Sequence, residues 1–71
     1  MIDIFEKEFD LMCYVKDTRA LKGLCTFDEV VEMFGDELVK KIMIEKNLIG
    51  YCKLNPKGLD WTELGWESMR I

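Results

Sequence analysis

Five lysines, Lys40, Lys41, Lys46, Lys53 and Lys57, fall between Asp36 and Gly58, opposed there only by Asp36, Glu37 and Glu45. Ammonium groups gathered in one stretch can neutralise phosphates, the interaction that carries most of the affinity of proteins for nucleic-acid backbones. Asn55, between the last two of these lysines, adds a polar donor and acceptor. The rest of the chain has the opposite sign. Met1 to Gly35 sets Lys7, Lys16, Arg19 and Lys22 against eight acidic residues, and Leu59 to Ile71 sets Arg70 against Asp60, Glu63 and Glu67. The formal net charge is −4. That balance excludes loose, sequence-blind attraction to nucleic acid and leaves only a local basic surface to consider.

Other chemistry is thinly supplied. The chain has no histidine, so a histidine base or an imidazole metal site is ruled out. Its three cysteines, Cys13, Cys25 and Cys52, are widely spaced and form no ligand cluster. Structural zinc needs four clustered thiolate or imidazole ligands, and an odd thiol count does not suit a disulfide scaffold. The thiols read as small apolar residues kept reduced. Cys25 precedes a helix start, a position that can lower a thiol pKa, but no base or second thiol lies near it in sequence. No nucleophile elbow or glycine-rich phosphate loop occurs. These absences predict a protein that is not an enzyme and uses no cofactor or metal.

Seventy-one residues, 49% hydrophobic and 34% charged, suit one small domain over residues 1–71 that packs its own core. No apolar run approaches the length of a membrane span. The acidic start, Met1 to Glu6, lacks the basic region of a secretion signal. The expectation is a cytosolic protein without a membrane contact.

Periodicity then supplies the elements that position the lysines. Ile2, Phe5, Phe9 and Met12 recur at helical spacing, and Ile4, Leu11 and Val15 widen the stripe, predicting a first helix over about Asp3–Lys16. So broad an apolar face predicts packing against the other helices, or, if one side extends beyond the core, a homodimer contact through Ile2, Phe5, Phe9 and Met12. Asp17 to Lys22 reads as a polar connection broken at Gly23, and Leu24-Cys25 as a short strand. Thr26 with Glu29 forms a capping-box signature, and Phe27, Val30, Val31 and Phe34 make the apolar face of a second helix. Gly35 suits its C-cap. Asp36 is expected to cap a third helix, Glu37–Lys46, with Leu38, Val39, Ile42, Met43 and Lys46 on its inner side, the lysine able to snorkel outward. Asn47 can take the left-handed conformation that ends it.

Leu48 to Leu54 then reads as a strand, with Ile49 and Tyr51 on one face and Leu48 and Cys52 on the other. Asn55-Pro56-Lys57-Gly58 is a turn, and Leu59 to Thr62 a return strand. A final short helix carries Leu64, Trp66 and Met69, weakened by Gly65. Trp61 and Phe34 fall at apolar phase and are expected to anchor the core. The fold class is α+β and mainly α: three helices, a small β-hairpin and a short C-terminal helix.

The run Asn47-Leu48-Ile49-Gly50-Tyr51, followed by a turn and then Trp61-Thr62-Glu63-Leu64-Gly65-Trp66-Glu67, resembles the winged helix-turn-helix regulators of bacteria and archaea. Those proteins often read G-L-I after the third helix and L-T-E-x-G on leaving the wing. Asn47 stands here where glycine is usual, and Trp61 where leucine is usual. The resemblance implies a transcription regulator that sets the third helix in the major groove of double-stranded DNA and rests the wing on the backbone. Its contacts would be Lys40, Lys41, Lys53, Asn55 and Lys57. The third helix, however, offers Asp36, Glu37 and Ile44 where base-reading side chains are usual. The alternative is an acidic winged-helix module, an adaptor or an inhibitor such as viruses and mobile elements use, that binds a protein partner and no DNA. The placement of carboxylates among the lysines discriminates the two.

Overall fold

A computed structural model describes residues 5–53 and 58–70. Four helices and one two-stranded antiparallel sheet make up the described chain. Ile2, Asn55 and Lys57, and the turn that carries the last two, lie outside it.

The first helix, α1, spans Glu6–Lys22. At its start the Phe5 N–H donates to the Glu8 carboxylate at 2.9 Å. The Asp17–Lys22 segment is not a connection but the last turns of this helix. Arg19, Ala20, Leu21 and Lys22 are strong helix formers, and their propensity outweighs a polar look. Gly23 ends it in the left-handed conformation, its N–H bonded to the Arg19 carbonyl at 2.8 Å.

The second helix, α2, spans Phe27–Phe34. The capping box forms as the sequence predicts. Thr26 Oγ1 accepts from Glu29 N–H at 3.3 Å, and Glu29 Oε2 accepts from Thr26 N–H at 3.0 Å. Gly35, at φ 92° and ψ 151°, turns the chain directly into α3, Asp36–Lys40. Asp36 is therefore the first helical residue and not the cap. Its carboxylate is 3.1 Å from Lys40 Nζ, one turn on.

From Lys41 to Glu45 the helix widens into a π turn, closed by the Lys46 N–H on the Lys41 carbonyl at 3.0 Å. Asn47, at φ 54°, stops it in the left-handed region. Strands β1, Ile49–Tyr51, and β2, Leu59–Trp61, pair with Gly50 opposite Asp60. The pattern along β1 departs from strict alternation: Leu48 and Ile49 are both buried and Tyr51 is exposed. The expected strand at Leu24-Cys25 shrinks to a single bridge of Thr26 with Gly58, beside which the Leu59 N–H donates to the Cys25 carbonyl at 2.7 Å.

The last helix, α4, spans Glu63–Met69 and is capped by Thr62 Oγ1, which accepts from Gly65 N–H at 3.0 Å. Gly65 is required rather than merely tolerated, because a Cβ there would run into the Leu48 carbonyl oxygen. Absence of a side chain lets α4 sit against the start of β1.

The core joins Leu11, Met12 and Val15 of α1 to Val30, Val39, Ile42, Leu48, Ile49 and Leu59, with Cys25 among them. Phe34 and Trp61 are half-buried partners of this core. Trp61 also donates from Nε1 to the Met12 carbonyl at 2.8 Å. Among the described residues no helix is long and apolar enough to cross a membrane.

Candidate functional site

The exposed side of α3 and its π turn carries Asp36, Glu37, Lys40, Lys41, Ile44 and Glu45. Helical spacing sets Asp36 below Lys40 and makes them an exposed ion pair. Such a pair adds only about 0.3–0.5 kcal/mol. Its importance is geometric, because any phosphate approaching Lys40 also meets a carboxylate. Lys41 leans back over the Phe5 ring, Nζ 5.4 Å from the centroid. Between these charges Ile44 is 75% exposed. Lys53, just after β1, is exposed. The structure thus brings Lys40 and Lys41 onto one surface but interleaves them with three carboxylates.

Lys46 has a different place. Its ammonium is 2.7 Å from Glu8 Oε1, joining the end of the π turn to the first turn of α1, and sits 4.8 Å from the Phe5 ring centroid. Glu8 is only 1% exposed. Burial pushes its carboxyl pKa up, but the hydrogen bonds from Lys46 and Phe5 N–H and the charges of Lys46 and Lys41 together hold it below the ordinary 4.5. Both bonds go to Oε1, and Oε2 is buried without a partner.

The burial of α1 departs from the expected dimer stripe. Glu8, Leu11, Met12, Val15 and Thr18 form the buried row of α1. The helix is therefore rotated from the phase that Ile2, Phe5, Phe9 and Met12 would define. Met12 is 0% exposed and cannot line an interface, whereas Phe5 at 61% and Phe9 at 48% remain on the surface. A lone glutamate at helical phase with Leu11, Met12 and Val15 was the available signal, and it needed Lys46 as its partner to be read.

Elsewhere the Glu29 carboxyl is lowered to about 2, first by the Thr26 N–H and then by Lys22 at 2.9 Å. Cys25 is fully buried, and burial raises its thiol to about 11, which removes it as a nucleophile at neutral pH. Among the described residues no three acidic or cysteine side chains gather where a metal ion could be held.

A second cluster was not foreseen. Trp61 and Trp66 meet edge to face with centroids 4.7 Å apart. Lys16 Nζ lies 3.9 Å from the Trp66 centroid and 5.5 Å from that of Trp61. The sequence shows each residue, but helical and strand periodicities do not relate α1 to α4.

No protein-family model, curated protein or solved structure matches the chain.

Proposed function

We propose that this chain is a winged-helix domain that binds another protein through α3 and the π turn. The element order supports the fold reading: α1, a bridging residue, α2, α3, a hairpin and a closing helix. The Thr26–Gly58 bridge stands where a short third strand would complete the small sheet of that architecture.

The observation that carries the binding reading is the charge order on α3. Lys40 shares its turn with Asp36, and three exposed carboxylates outnumber the two lysines around an exposed Ile44. The face carries one more negative than positive charge and so repels a DNA backbone as a whole, which outweighs the contacts that its lysines could make to guanine and its carboxylates to cytosine. A protein surface can use the same face, with Ile44 as the apolar contact and the mixed charges as its polar rim.

The test has two arms. Titration with duplex DNA at roughly 50 mM salt is expected to give no measurable binding. A photo-crosslinking amino acid in place of Glu37 is expected to capture a polypeptide from the native cells, and adding Ile44→Asp is expected to abolish that capture. Salt-dependent duplex binding weakened by Lys40→Ala with Lys41→Ala would overturn the proposal in favour of a DNA-binding regulator.

A further inference from the structure

We infer that the groove between the hairpin and α4 receives an arginine or lysine side chain from a basic segment of a partner protein. This rests on the protein-binding reading but uses no residue of α3. The two surfaces can therefore fail separately.

Trp61 and Trp66 form the wall of an open cavity of about 510 Å³ whose other sides are Glu63, Glu67, Met69 and Arg70. Trp66, one of the two indoles of that wall, remains 48% exposed. The indole corner already accepts one ammonium, that of Lys16, at 3.9 Å from the Trp66 centroid. It therefore displays the affinity for cations that an aromatic face provides.

Glu63 and Glu67 lie one turn apart on α4. Both are exposed, and neither is in an ion pair among the described residues. Asp60, the next carboxylate along, is already taken by Arg19 at 2.7 Å. The site therefore offers an aromatic face and two uncommitted carboxylates, with Arg70 in its lining and the Lys16 ammonium on the indoles beside it.

A second open groove of about 350 Å³ shares Trp61 and Glu63 with the first and runs along β1 past Tyr51 to Lys53. Two adjoining grooves that share Trp61 and Glu63 suit an extended segment better than a free ion. Charge selects that segment: an acidic peptide or a phosphate would meet Glu63 and Glu67, whereas a cation is attracted by both and by the indoles. Arginine is favoured over lysine, because a planar guanidinium can stack on the ring and fork toward a carboxylate together.

The chain has only two tryptophans, both in this cluster, so its fluorescence reports the site directly. The probes are short glycine–arginine, glycine–lysine and glycine–glutamate peptides. Saturable quenching is expected with the arginine peptide, weaker quenching with lysine and none with glutamate. Trp66→Leu is expected to weaken arginine binding at least roughly fivefold, read by calorimetry. Glu63→Gln with Glu67→Gln is expected to weaken it about tenfold; both side chains are exposed, so this pair keeps the test alive if the tryptophan variant folds poorly.

Lys16→Ala is expected to strengthen binding roughly twofold to fivefold, because its ammonium lies on the indoles beside the cavity and repels an incoming cation. Lys7→Ala, which removes an equal charge from an exposed position elsewhere on α1, should change it little. Equal strengthening by the two lysine changes would reduce the effect to net charge and overturn the inference. So would indifference to the α4 variants, absence of saturable arginine binding, or a stronger response to the glutamate peptide.

Discussion

Replacing Lys46 by methionine should reverse the pH dependence of stability. Lys46→Met keeps most of the apolar stem but leaves the Glu8 carboxylate 1% exposed, with Oε2 already lacking a partner and only Phe5 N–H left on Oε1. Removing one member of a buried pair costs about 3–5 kcal/mol. A chain of this length has only about 4–10 kcal/mol in total, so the variant should be marginal at neutral pH.

In the parent, the Glu8 pKa is lowered. Its contribution is therefore full above the ordinary glutamate value and is lost as pH falls through the folded value. In Lys46→Met, desolvation is opposed by far less, and the folded pKa rises above the unfolded one. The native state then binds the extra proton, and stability increases as pH falls from 7 toward the unfolded value. Urea unfolding followed by tryptophan fluorescence at several pH values measures both slopes. The double change Glu8→Leu with Lys46→Met should recover much of the loss, because apolar replacement of a buried pair is often neutral or better. A Lys46→Met cost below about 1 kcal/mol, which is surface-pair territory, or an unchanged pH slope would refute the reasoning.

Three further outcomes are expected. Gly65→Ala should destabilise by more than the gain of a better helix former, about 1 kcal/mol, would offset, since its Cβ meets the Leu48 carbonyl oxygen; thermal melting checks the sign. Met12→Ala should cost about 2–5 kcal/mol as a core deletion, while Phe9→Ser at 48% exposure should cost far less, which denaturant titration separates and which would fail if Phe9 proved the costlier site. Glu29→Gln should lower stability at neutral pH and flatten the acid limb between the ordinary 4.5 and about 2, where the parent loses the Glu29 contribution as pH falls.

Where side chains act on nearby backbone, sequence was enough. Thr26 with Glu29 marks the start of α2 through short-range bonds, and Asn47 ends the π turn by its left-handed backbone, both as the sequence predicts, whereas Thr62, expected in the return strand, caps α4 instead. The lysines of α3 and the carboxylates between them were equally readable, because helical spacing fixes who neighbours whom. What sequence did not yield depends on distant partners. Glu8 looks like a surface residue until Lys46, 38 positions away, neutralises it. With that pair in place Glu8 shares the buried row of α1 with Leu11, Met12 and Val15, and Met12 lies in the core. Gly65 looks like a helix weakness until Leu48 is known to press on it. The π turn has no composition of its own, since one widened turn leaves the apolar spacing of Val39 and Ile42 intact. Lys16 and Trp66 come together only when α4 folds back across the sheet.

The bond from Trp61 Nε1 to the Met12 carbonyl spans 49 residues. On a translating ribosome, at about 5–20 residues per second, that interval lasts roughly 2–10 s. Within it Val30, Val39, Ile42, Leu48, Ile49 and Leu59, which share the core with Leu11, Met12 and Val15, are made one after another. Helices form on a far shorter timescale, so the rate of synthesis, not of helix formation, sets the order in which these partners reach α1. The indole bond to Met12 is among the last of those contacts to become possible, whatever the stability of the finished domain.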